Sequence, residues 1–389
     1  MTYPLATSSW DNAEIEALER VIASGMFTMG KNVATFELLF ADFVGSKYAV
    51  MMNSGSSANL LMVAALFFRK SNPLRSGDEV IVPAVSWPTT YYPLAQYGLK
   101  LKFVDIDIET LNYDLQSLQS SVDSNTKAIV AVNLLGNPNE FSVIESIARQ
   151  HQLILIEDNC ESLGAVYSGR QAGTFGLLGT YSTFFSHHMS TMEGGVVVTD
   201  DEELYHILLS LRAHGWTRNL PQINRLTGTK SSDAFDESFK FVLPGYNVRP
   251  LEFEGAVGIE QLKKLPEFIR MRRRNAAIFV DALKTNPKFI AQREIGQSSW
   301  FGFSIVARRG VGVDRQKLVQ VLSENGVECR PIVAGNFAKN PVVSHFNYSV
   351  HGSLKNAEWI DANGLFVGNH HFDITDNIRA LAQLLSSFA

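Results

Sequence analysis

The chain has 389 residues, and its 34 basic and 39 acidic side chains give a formal charge of −5 at pH 7. This length suits one large and one smaller domain, and the near balance of charges, without long runs of one sign, argues against nucleic acid or an anionic membrane as partner. Hydrophobic residues make up 46% of the chain, so it can bury the core of a soluble globular protein.

The cysteines and the N-terminus favour a cytoplasmic location. Cys160 and Cys329 lie far apart, without the close spacing of a thiolate zinc site or a disulfide framework. Residues 1–6 lack the basic and apolar regions of a secretory signal peptide. The apolar run 60–68 is too short to span a bilayer. We therefore expect a cytoplasmic protein with two buried thiols.

Helical periodicity dominates the start of the chain. Apolar residues recur at helical spacing over 12–24, and Gly25 is suited to end that helix. A turn at 26–30 and a second helix over 33–43 follow. This pattern predicts two consecutive helices before the first strand.

A strand, a small-residue turn and a helix come next. Residues 48–53 predict a short strand, 54–59 (Ser-Gly-Ser-Ser-Ala-Asn) a turn, and 60–69 a helix. Free backbone N–H groups at such a helix N-terminus can bind a phosphate, and small side chains let it approach. An ordinary capped helix has the same local pattern, so both interpretations stay open.

Continuous apolar strands then alternate with helices, which predicts an α/β fold with a mostly parallel sheet covered on both faces. Ligand sites in such sheets lie at the carboxyl ends of the strands. Trp87, Asp158 and His187 each follow an apolar strand, so we expect them to reach one pocket. The strands are predicted at 79–83, 100–105, 128–133 and 153–157, and the helices between them at 91–97, 115–121 and 142–150.

Residues 181–199 predict a strand that breaks into a polar turn and continues as a second strand after Gly194 and Gly195. Ser182, His187 and His188 are concentrated in this break. Reactive side chains in such a position indicate a functional centre more than a structural loop.

The last part of the chain predicts a smaller α+β domain. A long helix over 251–285 starts it, and we place the boundary between a large domain, 1–250, and the C-terminal domain, 251–389, at that point. Before the boundary come a helix over 202–214 and a polar surface segment over 219–239. After it we expect a strand at 299–307, a helix at 314–325, a strand at 327–330 and a terminal helix with Thr375 as its N-cap.

Taken together, these motifs resemble the DegT/DnrJ/EryC1/StrS family of sugar aminotransferases, which use pyridoxal 5′-phosphate. The family pattern is Ser-Phe, a few residues, Lys, and then Glu-Gly-Gly or Asp-Gly-Gly. It falls on residues 182–195, with His187 at the lysine position. The resemblance covers nearly the whole chain. It implies the fold-type I architecture, similar to aspartate aminotransferase, and a homodimer with shared active sites.

The same resemblance implies a cofactor site. A phosphate cradle, an acid against the pyridine nitrogen and an aromatic ring over the cofactor are its parts. Asp158 would be the acid and Trp87 the ring, although alone they read as a strand-end cap and a core tryptophan. Asn247 would reach the phosphate from the neighbouring subunit, and the role of Glu161, on a family glutamine, stays open. The implied cofactor-binding residues are Gly55, Ser56, Ser57, Trp87, Asp158, Glu161, Ser182 and Asn247.

The missing lysine decides the expected reaction. No lysine occurs between Lys127 and Lys230, so no near neighbour can replace it. His187 cannot hold the cofactor covalently, but with an ordinary pKa of about 6.5 it can be a general base. This combination, with stretches such as 186–195 and 241–250, resembles the sugar 3-dehydratases of the family.

The resemblance implies loss of the C3 hydroxyl of GDP-4-keto-6-deoxymannose, with pyridoxamine 5′-phosphate as the working form of the cofactor, L-glutamate as amino donor and release of ammonia. The GDP assignment rests on the resemblance alone. Two alternatives stay open: an aminotransferase acting on a nucleotide-linked keto sugar, and a non-catalytic relic that binds the cofactor.

Further substrate contacts are predicted with less support from the sequence. Each of these residues can equally be an ordinary surface or positioning residue. No metal site is expected at the two histidines, because no acidic partner stands at a suitable spacing, and two cysteines cannot hold an iron–sulfur cluster. The candidates are Met26, Thr28, His188, His214 and Arg218.

Overall fold

Helices and strands alternate through residues 2–388, the part of the chain that the computed structural model describes. The helices are α1 Asn12–Ser24, α2 Lys31–Val44, α3 Gly55–Phe68, α4 Pro88–Gln96, α5 Leu115–Ser121, α6 Phe141–Gln150, α7 Glu202–Leu211, α8 Ala234–Ser238, α9 Glu252–Leu283, α10 Arg315–Glu324, α11 Lys355–Asn363 and α12 Thr375–Ser387. The strands are β1 Tyr48–Met52, β2 Glu79–Pro83, β3 Lys100–Val104, β4 Thr126–Val132, β5 Ile154–Asp158, β6 Val166–Tyr167, β7 Arg170–Gln171, β8 Leu178–Ser182, β9 Gly195–Thr199, β10 Ile223–Asn224, β11 Gly228–Thr229, β12 Phe289–Ile290, β13 Gly302–Ala307, β14 Cys329–Arg330, β15 Tyr348–Val350 and β16 Gly364–Gly368.

An eight-stranded sheet organises the larger part of the molecule, in the order β1-β9-β8-β5-β4-β2-β3-β15. Strand β9 is antiparallel to both of its neighbours, and the other adjacent strands are parallel. Val80 and Val82 pack into the core on one face of the sheet, and Ile81 into the core on the other. Both faces are therefore covered, which confirms the predicted α/β architecture.

Helix α3 lies in the core beside this sheet, with most of its length buried. It begins at Gly55, five residues before the predicted start, because the Ser54 side chain caps it by accepting from the Ser57 N–H. The small residues that read as a turn are therefore the first turn of the helix. This correction places free N–H groups of α3 close to the end of β1.

The C-terminal part contains a four-stranded antiparallel sheet in the order β12-β13-β16-β14. Its core joins Phe279 of α9 with Phe303 of β13, whose rings stack. Two segments cross the proposed boundary at residue 250: β15 pairs with β3 of the large sheet, and Tyr3 packs into the C-terminal core. The boundary itself stays a prediction.

Several local expectations need correction. Helix α7 ends at Leu211 instead of 214, and β13 begins at Gly302 instead of 299. Thr375 is the first helical residue of α12, where it donates to Asp373, and Ile374 holds the N-cap position. Cys160 and Cys329 are free but only partly buried.

The polar segment 219–239 forms the small hairpin β10-β11 and helix α8. Between residues 2 and 388, no helix combines the length and the hydrophobicity that a membrane crossing requires.

Candidate active site

A cavity of about 630 Å³ lies at the carboxyl ends of the parallel strands, where ligand sites of such sheets form. Its wall is built from the segments after β2, β4, β5 and β8, from the first turn of α3, and from Phe301 and Arg330 of the C-terminal part. Trp87, Asp158 and His187 meet there, as the sequence predicts. The predicted site residues in the wall are Gly55, Ser56, Trp87, Asp158, Glu161, Ser182 and His187.

The N-terminus of α3 and the end of β8 approach each other closely on one side of the cavity. A Cβ atom on Gly55 would lie only 2.6 Å from the Ser182 Cβ atom, so glycine is required there. The Ser56 hydroxyl donates to Thr89 at 3.2 Å. Two serine hydroxyls beside a helix N-terminus form a suitable anion site. Ser57 differs, since its side chain belongs to the Ser54 cap and not to the cavity wall.

Asp158 ends β5 and is almost completely buried. Its Oδ2 atom accepts from Asn59 Nδ2 at 2.8 Å and from the Thr90 hydroxyl at 2.7 Å, and its Oδ1 atom accepts from the Cys160 N–H at 3.2 Å. An ionised carboxylate only accepts hydrogen bonds, so three donors suit it and fix its orientation. The arrangement can hold a cationic group of a ligand at the cavity wall.

Sequence reasoning missed Asn59 and Thr90, the two side chains that orient Asp158. Asn59 is a buried polar residue at the start of the apolar stretch of α3, and buried polar groups require partners. The sequence shows the asparagine beside that stretch but not its burial. Thr90 follows the tryptophan motif in the first turn of α4 and gives no comparable signal.

Trp87 is 56% exposed and lines the cavity. The alternative of a core tryptophan is therefore wrong. It precedes Pro88, the first residue of α4, so the helix start fixes its backbone next to the segment that carries Thr90. Its indole is available to stack on a planar ligand.

His187 lies in the polar break between β8 and β9, half-buried against the cavity. The rings of Phe301 and Phe184 flank it, with centroids 5.1 and 6.0 Å away. Burial, assisted by the positive charge of Arg272, lowers the pKa of His187 from 6.5 to about 4. The imidazole is therefore neutral near pH 7 and can accept a proton. Among the described residues, its Nδ1 atom is buried and has no hydrogen-bond partner.

His188 is buried and lies outside the cavity wall. Its Nε2 atom donates to the Ser299 carbonyl oxygen at 3.1 Å, and burial lowers its pKa well below 6.5. The substrate contact predicted for His188 is not supported by this placement. Its contacts are those of a residue that positions the segment around His187.

Arg272 of α9 is a second feature that sequence reasoning missed. It is buried, and its Nη1 atom donates to the carbonyl oxygens of Phe301 at 3.1 Å and Asn369 at 2.8 Å. Within residues 2–388 it has no carboxylate partner, and burial lowers its pKa to about 10. Its charge lowers the pKa of nearby histidines, His187 among them. The guanidinium therefore both holds Phe301 and favours the neutral form of His187.

The remaining predicted residues lie outside the cavity wall. Thr28 pairs with Leu251 at the start of α9, and Met26 is 54% exposed. Asn247 accepts from Arg249 at 3.0 Å and has its backbone paired with Ala213. Their roles, including the contact of Asn247 with a neighbouring subunit, stay predictions.

His214 and Arg218 lie in a surface patch with Asn247. The His214 N–H donates to the Tyr246 carbonyl oxygen, and the Arg218 guanidinium stacks on Trp216 at 4.3 Å. Phe239, 67% exposed, also contacts Arg218. In residues 2–388 no group of three or more His, Cys, Asp or Glu side chains is arranged to hold a metal ion.

Known proteins of similar sequence and structure agree with this geometry. Residues 8–380 match the model of the DegT/DnrJ/EryC1/StrS aminotransferase family. The chain is 60% identical to a GDP-4-keto-6-deoxy-D-mannose 3-dehydratase of Escherichia coli O55:H7, over 99% of this chain and 100% of that protein. It superposes on the solved structure of an E. coli GDP-4-keto-6-deoxy-D-mannose-3-dehydratase with bound hydrated PLP, with a TM-score of 0.98, 60% identity and 99% coverage of both chains. A structure of the 3-dehydratase with a trapped PLP-glutamate geminal diamine gives the same TM-score and identity, over 99% of this chain and 100% of that one.

Proposed function

The chain belongs to the DegT/DnrJ/EryC1/StrS aminotransferase family, and we propose that it is a pyridoxal 5′-phosphate-dependent sugar 3-dehydratase. It removes the C3 hydroxyl of GDP-4-keto-6-deoxy-D-mannose and gives GDP-4-keto-3,6-dideoxymannose, with L-glutamate as amino donor and release of ammonia. One observation carries this proposal. A neutral, half-buried histidine, His187, occupies the cavity position where the family has its lysine.

The residues of the cavity fit the cofactor. A Cβ atom at residue 55 would collide with Ser182. Because Gly55 has none, space for a phosphate remains beside Ser56. Asp158 is oriented to hold the protonated ring nitrogen, and the exposed indole of Trp87 can cover the ring. When bound, the cofactor supplies an electron sink for cleavage of bonds next to the substrate carbonyl carbon.

His187 moves the proton. With its Nδ1 atom buried, Nε2 is the nitrogen that accepts a proton inside the cavity. Phe184 and Phe301 exclude water from the imidazole, and this desolvation keeps it neutral and available as a base. No lysine between Lys127 and Lys230 offers a competing amine. These features favour elimination of the hydroxyl over formation of a stable amino sugar.

We also propose that the enzyme is a cytoplasmic homodimer of dideoxysugar biosynthesis, as in colitose formation. The support for the dimer is the location of Asn247, His214 and Arg218. They lie outside the cavity of their own chain, in a patch with exposed aromatic rings such as Phe239. A second subunit would cover that patch and bring these polar groups to a neighbouring cavity.

The test is to mix the protein with pyridoxal 5′-phosphate, glutamate and GDP-4-keto-6-deoxymannose. Ammonia and the mass of the sugar product are then measured. We expect ammonia and a sugar that has lost one oxygen. An amino sugar without ammonia would identify an aminotransferase, and the absence of both products would contradict the proposed reaction.

A further inference from the structure

Two carboxyl side chains line the cavity close together, Asp158 at the end of β5 and Glu161 in the segment that follows, and their surroundings differ. Asp158 accepts three hydrogen bonds. In the part of the chain that the structure describes, Glu161 accepts one, from the Leu135 N–H to its Oε2 atom at 3.0 Å. Asp158 therefore has the partners of an anion, whereas Glu161 has an oxygen left for the cavity.

We propose that Glu161 is an uncharged carboxylic acid in the resting enzyme and donates its proton to the hydroxyl that leaves the substrate. The inference rests on the proposed function, because it assigns the acid that the elimination needs. It also gives Glu161 a role that neither its place in the sequence nor the cradle for the cofactor explains.

The electrostatics of the cavity support the uncharged form. Burial raises the pKa of Glu161 to about 7, and the negative charge of Asp158 acts in the same direction, against the single hydrogen bond from Leu135. Two acids in one site whose surroundings differ in this way are suited to opposite roles. The other titratable or charged groups in the cavity wall are Asp158 and Cys160 on the same segment, and His187, Glu193 and Arg330 elsewhere; of these, Asp158 acts on the pKa of Glu161.

The proton balance of the elimination requires both an acid and a base. The O–H bond of Glu161 breaks, and its proton joins the departing oxygen, which leaves with the C–O electron pair as water. The C–H bond that gives its proton to His187 breaks at the same time, and its electron pair replaces the pair that leaves with the oxygen. His187 has then gained one proton and Glu161 has lost one, so transfer of a proton between them through solvent restores the site. The two electrons that the net loss of one oxygen requires come from L-glutamate, the amino donor of the proposed reaction.

Infrared spectroscopy of the protein without cofactor or substrate tests the charge of Glu161 directly. The difference spectrum between the wild type and Glu161→Gln at pH 6 should contain the carbonyl band of a protonated carboxyl group. That band should give way to a carboxylate band as the pH rises through about 7. A carboxylate band already dominant at pH 6 would overturn the proposal.

Glu254→Gln is the matched control, because burial also raises the pKa of Glu254 to about 7 and it lies outside the cavity wall. Its difference spectrum shows what such a group contributes elsewhere in the protein. Glutamine keeps the size of both side chains and a carbonyl oxygen to accept the existing backbone hydrogen bonds.

Kinetics tests the transfer of the proton. Glu161→Gln should lower kcat about 10²- to 10³-fold, as expected for loss of a general acid, and should abolish the fall of kcat above about pH 7. Glu161→Asp should retain that fall with a reduced kcat, and Glu254→Gln should behave as wild type. A Glu161→Gln enzyme with the wild-type kcat and pH profile would overturn the donor role.

The two proposals fail in different ways. If the wild type released no ammonia, the proposed reaction and the donor role would both be wrong, although the infrared bands would still report the charge of Glu161. If the wild type is active and Glu161→Gln is equally active, only the present inference is wrong.

Discussion

The two sides of the cavity are built by opposite means. On the aspartate side, which we define as Asn59, Thr90, Asp158 and Cys160, the polar groups bind one another. The histidine side is defined as His187, His188, Arg272 and Phe301. Within the described part of the chain, three of its buried atoms have no hydrogen bond: Nδ1 of each histidine and Nε of the arginine. Satisfied networks hold a ligand in one orientation, whereas unpaired, desolvated groups retain their reactivity. The carboxylate that would bind the cofactor and the base that would accept the proton therefore lie on different sides of the cavity.

The largest expected effect comes from removing the base on the histidine side. His187→Asn should lower the rate of dehydration about 10²- to 10⁴-fold, since general base catalysis is lost, while the affinity for pyridoxal phosphate stays close to that of wild type. Turnover and cofactor binding are measured on the same preparation. His151→Asn, on the surface, is the control. Near-normal turnover of His187→Asn would show that another group is the base.

The next largest effect tests the aspartate side. Asp158→Asn keeps the shape of the side chain but removes its charge, and a hydrogen bond to a charged group contributes about 1.5–3 kcal/mol. We expect about 10- to 100-fold weaker binding of pyridoxal phosphate, measured by titration of the protein freed of cofactor.

Glu157→Gln is the control for Asp158→Asn. Glu157 is buried on the same strand, but it accepts from the N–H groups of Gly173 and Gly176, away from the cavity wall. It should change stability and not cofactor affinity. Equal affinity of Asp158→Asn and wild type would remove Asp158 from the cofactor site.

Replacing Arg272 tests why the histidine side stays neutral. Burial and the Arg272 charge lower the pKa of His187 to about 4, so the wild-type rate should not fall on the acid side until the pH nears that value. In Arg272→Met the charge is absent, the pKa of His187 rises toward 6.5, and the rate should begin to fall at a higher pH. Arg272→Lys keeps the charge and should keep the wild-type profile. If the rates of all three proteins fell at the same acidic pH, burial alone would explain the lowered pKa of His187.

The smallest effect is expected from one donor of the aspartate side. Thr90→Val removes the hydroxyl that donates to Asp158 and should cost about 1 kcal/mol of unfolding free energy, with a modest loss of cofactor affinity. Thr199→Val removes an equally buried hydroxyl, bonded to the Leu177 carbonyl oxygen outside the cavity wall. It should be destabilised to a similar extent without loss of cofactor affinity. If both variants bound the cofactor as wild type does, orientation of Asp158 by Thr90 would not matter.

Local pattern predicted most of the large sheet and the meeting of Trp87, Asp158 and His187, because continuous apolar strands and their carboxyl ends are visible in sequence. It missed the edge strand β15, whose Tyr348 and Val350 are exposed and whose partner β3 lies about 250 residues earlier. A pairing over that distance leaves no periodic signal in either segment.

The histidine side was only partly predictable. His187 was found from its position in the polar break, but Arg272 is one of several arginines in α9, among them Arg270, which is exposed and paired with Glu267. Only the packing of α9 against Phe301 and Asn369 shows which arginine is buried. Burial without a charged partner is a tertiary property, and it sets the protonation of the base.

The protonation of His187 is the most direct test of this account. Nuclear magnetic resonance of protein with ¹⁵N-labelled histidine, with His187→Asn used to assign the signal, reports the charge of the ring at each pH. We expect the His187 imidazole to stay neutral from pH 7 down to pH 5 and to take up a proton only near pH 4. Titration near pH 6.5, as for an exposed histidine, would contradict the claim that the histidine side keeps its base neutral by burial.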